Sequence, residues 1–89
     1  MFTGIITAVG KVSAITHGQT SARITVSVDD FLGDVGLGDS ISCNGTCLTV
    51  VELHATTFSV DVMKQTLDLT TTGKLVVGSV LNLEKAARV

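Results

Sequence analysis

The dipeptide Asn44-Gly45 fixes more of this chain's geometry than any other pair of neighbours, because it stands between two short alternating segments, Ser40-Ile41-Ser42-Cys43 and Thr46-Cys47-Leu48-Thr49-Val50. A two-residue hairpin turn of type I′ needs positive φ at both central positions, and Asn followed by Gly meets that need. With these residues at the turn, Cys43 pairs with Thr46, Ser42 with Cys47, Ile41 with Leu48 and Ser40 with Thr49. Successive side chains of a strand point to opposite faces. One face therefore carries Ile41, Cys43, Thr46, Leu48 and Val50 and reads as core, while the other carries Ser40, Ser42, Cys47 and Thr49. That second face is small and polar. It suits an exposed strand surface, and it equally suits a flat ligand that needs hydrogen-bond donors and acceptors.

The same alternation recurs elsewhere. Ile24, Val26 and Val28 alternate with Thr25 and Ser27, and Phe58, Val60 and Val62 alternate with Ser59 and Asp61, the pattern of half-buried antiparallel strands. Further strands are expected over residues 3–15, 40–43, 46–53 and 80–86, with turns at His17-Gly18, Gly36 to Gly38, Asn44-Gly45, His54-Ala55 and Gly78. Six strands of this kind make an all-β barrel or sandwich. Two short segments read as helical turns: residues 30–34, opened by the acid pair Asp29-Asp30 suited to a helix N-terminus, and residues 64–68. The 89 residues hold no proline, repeat or low-complexity run, so 1–89 is expected to be a single domain.

Composition excludes several classes of function. A net charge of −2 with six scattered Lys and Arg leaves no basic stripe for a polyanion, and three Phe without Tyr or Trp give no stacking platform for bases. Nucleic acid is not an expected partner. The 45% hydrophobic content comes in short runs, far from the ~18 consecutive apolar residues of a membrane helix, so no membrane partner is expected either. Phe2-Thr3-Gly4 lacks the basic start of a signal peptide, and the expected location is cytoplasmic. Cys43 and Cys47 point to opposite hairpin faces, which forbids a bridge without rebuilding the turn. With His17 and His54 in separate turns, no Cys/His metal spacing can be assembled, and no metal is expected.

Individual motifs carry less. Gly36-Leu37-Gly38 precedes a strand rather than a helix, which makes it a turn and not a dinucleotide loop. Cys47 has no His or Lys beside it in the hairpin to lower its pKa, so the residues alone describe a buried or ligand-lining thiol more readily than a nucleophile. Phe2 reads as a frayed terminal residue or a hydrophobic plug, and the stretch Asp61-Val62-Met63-Lys64-Gln65-Thr66 as a strand end passing into a surface turn.

Four motifs, in order and spacing, change the weight of these readings: Met1-Phe2-Thr3-Gly4-Ile5, Asn44-Gly45-Thr46-Cys47-Leu48-Thr49-Val50, Met63-Lys64-Gln65-Thr66-Leu67 and Asn82-Leu83-Glu84-Lys85-Ala86-Ala87. From first residue to last the chain resembles the N-terminal, lumazine-binding domain of the riboflavin synthase family. Gln65 stands where the family often has Glu. The resemblance implies a six-stranded antiparallel Greek-key barrel with one or two short helical turns, a closure that removes exposed sheet edges. It also implies catalytic roles for Phe2, Ser40 and Cys47, and a pteridine or flavin site formed by Gly4, Ile5, Ile6, Cys47, Leu48, Thr49, Asp61, Val62, Met63, Lys64, Gln65 and Thr66.

The family reaction, as the resemblance implies, moves a four-carbon unit between two molecules of 6,7-dimethyl-8-ribityllumazine, giving riboflavin and 5-amino-6-ribitylaminouracil, with no metal or redox cofactor. Riboflavin synthase chains hold two such barrels in tandem and a C-terminal helix that helps trimerise them, and each site joins an N-terminal barrel to the C-terminal barrel of a neighbouring subunit. One barrel is then half a site. It is expected to pair as a homodimer and to bind ligand with little or no turnover. The alternative is a non-catalytic lumazine or flavin carrier of the related type.

Overall fold

The computed structural model describes residues 2–88 and, within them, the side chains of all but Phe2, Thr3, Thr71, Ala87 and Arg88. Six strands, β1 (Phe2–His17), β2 (Ser21–Ser27), β3 (Ser40–Cys43), β4 (Thr46–Leu53), β5 (Thr57–Met63) and β6 (Val80–Arg88), close into a barrel in the order β1-β2-β5-β4-β3-β6. Every pairing is antiparallel. β3, β4 and β5 form a meander and β2 lies beside β5, which is the Greek-key arrangement.

Closure depends on the length of β1. Its first part pairs with β6, from Phe2↔Arg88 to Lys11↔Val80, and its second part pairs with β2, from Lys11↔Ser27 to His17↔Ala22. A bulge between Val12 and Ala14 lets one strand serve both neighbours, because the extra residue bends it and exchanges the inward and outward sets. Before the bulge Gly10 and Val12 face inward; after it Ile15 does. At Gly10 the wall comes close to the core, and a Cβ there would stand 2.8 Å from both Leu83 Cδ1 and Val26 Cγ1.

The alternation read from the sequence builds the core. Ile24, Val26, Ile41, Leu48, Val50, Phe58, Val60, Val62, Leu81 and Leu83 are all buried and fill the barrel around the Phe58 ring. The hairpin has the expected register: Ser40↔Thr49, Ile41↔Leu48, Ser42↔Cys47 and Cys43↔Thr46. Asn44 (φ 50°) and Gly45 (φ 88°) form its turn. Of the five residues expected on its core face, Thr46 is only half-buried.

One helical expectation holds and one fails. α1 spans Lys64–Leu69, one residue longer than expected, and ends where the Thr70 hydroxyl donates to the Thr66 carbonyl at 2.6 Å, ahead of a 3-10 turn over Thr71–Lys74. Residues 30–34 are not helical. Asp30 adopts φ 53°, which breaks a helix at its start, and the successive side chains of Phe31 and Leu32 are both buried. A helix of so few residues forms only where tertiary contacts support it. Packing of these two side chains on the barrel determines the conformation instead.

Candidate ligand-binding face

The polar side of the hairpin does not stand alone. Ser42 pairs with Cys47 on β4 and with Glu84 on β6, and Glu84 pairs in turn with Thr7 on β1. Strand parity sends all four side chains outward, so Thr7, Glu84, Ser42 and Cys47 form one row across four strands. Two residues further on each strand, the next outward positions are Ile5, Ala86, Ser40 and Thr49, joined by the pairs Ile5↔Ala86 and Ser40↔Thr49. Ser40, Cys47, Thr49 and Ile5 are exposed, Ile5 at 65%. Two adjacent rows thus bring the start of β1 and the hairpin to one outer face of the barrel.

The segment 61–66 borders this face from β5. Val50 of β4 pairs with Val60, which makes Thr49 and Asp61 outward-facing neighbours across the seam. Asp61 and Met63 are exposed, and Lys64, Gln65 and Thr66 start α1. Arg23 of β2 donates from Nε to Asp61 Oδ1 at 2.8 Å and from Nη2 to Oδ2 at 3.1 Å. That hydrogen bonding, reinforced by the guanidinium charge, holds the Asp61 carboxyl below its ordinary range. Beside it Thr25 Oγ1 and Ser59 Oγ share a 2.8 Å hydrogen bond, and Ser59 donates to Glu52 Oε1 at 3.3 Å.

Not every residue singled out in the sequence can present its side chain here. Leu48 (7% exposed) and Val62 (1%) point into the core, so only their main chains reach this surface. Gly4 is exposed, with nothing of the chain within 4 Å of a Cβ built on it, so the fold itself does not require glycine there. Ile6 belongs to the inward set but lies towards the barrel end and is 41% exposed. The expected role of Phe2 rests on a side chain outside the described residues.

The thiols divide as the hairpin register requires. Cys43 is buried, which pushes its pKa up to about 12, with a smaller contribution from the nearby Cys47. Cys47 is exposed and, among the described residues, has no hydrogen-bond partner that could act as a base. No group of three or more His, Cys, Asp or Glu among the described residues could hold a metal ion.

A cavity of about 310 Å³ lies elsewhere, between the β1–β2 turn and α1, with Ile15, Ala22, Ile24, Leu67 and Leu75 among its walls. Of the catalytic and ligand-binding residues expected from the resemblance it is lined by Lys64 alone. The outer face assembles more of the matching positions and more convergent hydroxyls, and is the better candidate. Ser42 already stood on the polar hairpin face read from the sequence, whereas Thr7, Glu84 and Arg23 were absent from the site predicted there. Parity along each strand marks them as outward, but only the pairing of β6 with β1 and β3, and of β2 with β5, brings them to this surface.

A family model described as the lumazine binding domain matches residues 3–86. The chain belongs to the lumazine binding domain family. This lumazine-binding domain is 48% identical over 87 residues to a riboflavin synthase of Photobacterium phosphoreum, 45% over 86 residues to one of Actinobacillus pleuropneumoniae and 42% over 86 residues to one of Bacillus subtilis. Each alignment covers 97% of the domain but 40% of the relative, so the chain spans well under half the length of the curated relatives it matches. None of the described helices is long and apolar enough to cross a membrane.

Proposed function

We propose that this lumazine-binding domain is the N-terminal ligand-binding barrel of a cytoplasmic riboflavin synthase, and that by itself it holds one pteridine or flavin on the outer face described above. The observation that carries the reading is the pair of outward rows that places Ser40, Ser42, Cys47 and Thr49 beside Ile5. The small side chains leave room for a flat ring, and their hydroxyls satisfy its polar edge. Main-chain groups of Leu48 and Val62, with Gly4, Ile6, Asp61, Met63, Lys64, Gln65 and Thr66, form the surrounding wall.

In the proposed reaction two 6,7-dimethyl-8-ribityllumazine molecules meet face to face. A proton leaves the C7 methyl of one, whose carbanion delocalises into the pteridine and attacks the second, electrophilic ring. The four-carbon unit passes from one ring, which leaves as 5-amino-6-ribitylaminouracil, to the other, which becomes riboflavin. Catalysis is then largely orientation of two rings, and no metal or redox cofactor is called for. This barrel supplies one ring's seat, with Phe2, Ser40 and Cys47 nearest the reacting atoms. A C-terminal barrel of a neighbouring subunit supplies the other seat, in a trimer of two-barrel chains.

A second reading, a lumazine or flavin carrier without turnover, is favoured by the exposed Cys47 thiol making no hydrogen bond to a base among the described residues. Titration with riboflavin, followed by the change in flavin fluorescence, tests the binding common to both. Saturation at one ligand per chain supports it, and no signal at high concentration sinks it. Riboflavin formation from the lumazine by a chain carrying both barrels then separates enzyme from carrier.

A further inference from the structure

The two seams that flank β6 are unequal. Against β1 it pairs almost continuously, from Ile5↔Ala86 to Lys11↔Val80, whereas against β3 it pairs at Ser42↔Glu84 and Cys43↔Leu83 alone. The β3–β6 ladder gives out on the side of Ser40 and Ala86, where the candidate ligand face crosses it. Next to the last pair stands Lys85.

The Lys85 side chain is only 11% exposed. Its ammonium donates to the Phe31 carbonyl and, at 2.5 Å, to Asp34 Oδ1, and lies 4.6 Å from the centroid of the Phe31 ring. Phe31 and Leu32 are buried in the connection from β2 to β3. The same connection then delivers the chain to Ser40 under close control: Asp39 Oδ2 accepts from Gly36 N at 2.8 Å, and the Asp39 carbonyl accepts from Val50 N at 2.8 Å. One ammonium therefore ties β6 to the segment that enters β3 where ladder hydrogen bonds are missing. An ammonium so largely shielded from water needs acceptors around it, and its loss removes the donor from which the Phe31 carbonyl accepts.

We infer that Lys85 is a positioning residue for ligand binding: it pins the β3–β6 seam and so sets Ser40 and Thr49 on one side against Ile5 on the other. The inference rests on the ligand-binding reading above. It adds to that reading a residue that does not itself belong to the outer face.

The experiment compares the unaltered domain with Lys85→Met and Asp34→Asn, using residue-resolved amide hydrogen exchange without ligand and riboflavin titration well below the unfolding temperature. In Lys85→Met, exchange at residues 40–43 and 83–86 is expected to quicken about tenfold or more relative to Ile24 and Val60 in the β2–β5 ladder, and riboflavin to bind about tenfold more weakly, as for loss of one charge-assisted hydrogen bond. Asp34→Asn keeps both Phe31 contacts and should move both readouts the same way by a smaller factor. It decides the question alone if Lys85→Met does not fold. Exchange that quickens uniformly over the barrel, or not at all, overturns the pin. A loosened seam with unchanged affinity overturns the positioning role. An unaltered domain that takes up no riboflavin overturns the ligand-binding reading and the positioning role with it, whereas normal binding by the unaltered domain and both variants overturns the positioning role alone.

Discussion

Arg23 and Asp61 face each other across the β2–β5 ladder and join through two parallel hydrogen bonds, so the one carboxylate in the 61–66 wall is engaged by a guanidinium. The outward β5 edge of the candidate site thus presents a neutralised pair rather than a free acid. Both groups are roughly half exposed, which limits what the pair adds to stability.

The pH dependence follows from the direction of the Asp61 shift. A carboxyl with a lowered folded pKa contributes stability that is present above its ordinary pKa, about 4, and is lost as pH falls through the lower folded value. Carbon-13 NMR titration should therefore find Asp61 ionising below the ordinary aspartate range. In Arg23→Met it should return towards that range, because the hydrogen bonds that cause the shift are gone. An unmoved titration in the variant would show that the pair does not persist in solution.

Hairpin parity predicts opposite consequences for adjacent residues. Thr49→Val and Ser40→Val alter exposed positions, and should weaken riboflavin binding with little change in thermal midpoint. Leu48→Ala opens the core and should cost about 2–5 kcal/mol. Chemical denaturation alongside ligand titration checks both. Unfolding by Thr49→Val, with affinity intact in the folded fraction, would mean the faces are assigned the wrong way round.

This parity was legible in the sequence because a two-residue turn sets the register of both arms at once. All four predicted pairs of β3 with β4 stand in the structure, and so does the division of Cys43 from Cys47. Parity also placed Leu48 in the core, yet the family motif carries Leu48 and Val62 along as site residues. A contiguous motif does not distinguish side chain from main chain. What stayed hidden depends on closure: Glu84 joins Thr7 to Ser42 only because β6 lies between β1 and β3, and Lys85 meets Phe31 and Asp34 more than fifty positions away. The same distant contacts hold residues 30–34 out of the helix their acidic start suggested.

The two thiols provide a probe of the face that does not depend on turnover. Cys47 is exposed and should react with a maleimide in the native protein, while Cys43, buried and with its pKa pushed up to about 12, should react only on unfolding. Saturating riboflavin should slow labelling of Cys47 if the ring sits over the outward rows. Mass spectrometry of peptides from labelled protein gives both rates. Equal labelling of Cys47 with and without bound riboflavin would move the ligand off this face.

The isolated domain should be a two-fold homodimer that binds ligand yet forms little or no riboflavin. On the outer wall, Ile5 and Val9 are each 65% exposed on β1, and Val80 is 59% exposed on β6. Ile5 lies in the ligand face, Val9 in the next outward row of β1 and Val80 one row further on, and their exposed apolar side chains suit contact with a similar barrel. A second copy of the same chain can supply that contact, and closed two-fold pairing is the commonest arrangement of identical chains. In such a dimer two rings could be held near one another, because each barrel brings its own outward rows. Each copy also brings the same groups, however, and among the described residues Cys47 makes no hydrogen bond to a base. Sedimentation equilibrium should therefore report a dimer, and the rate of riboflavin formation should lie far below that of a chain carrying both barrels. A monomer at high concentration would place the interface elsewhere, and full synthase activity from these residues alone would show that one kind of barrel holds all the groups the reaction needs.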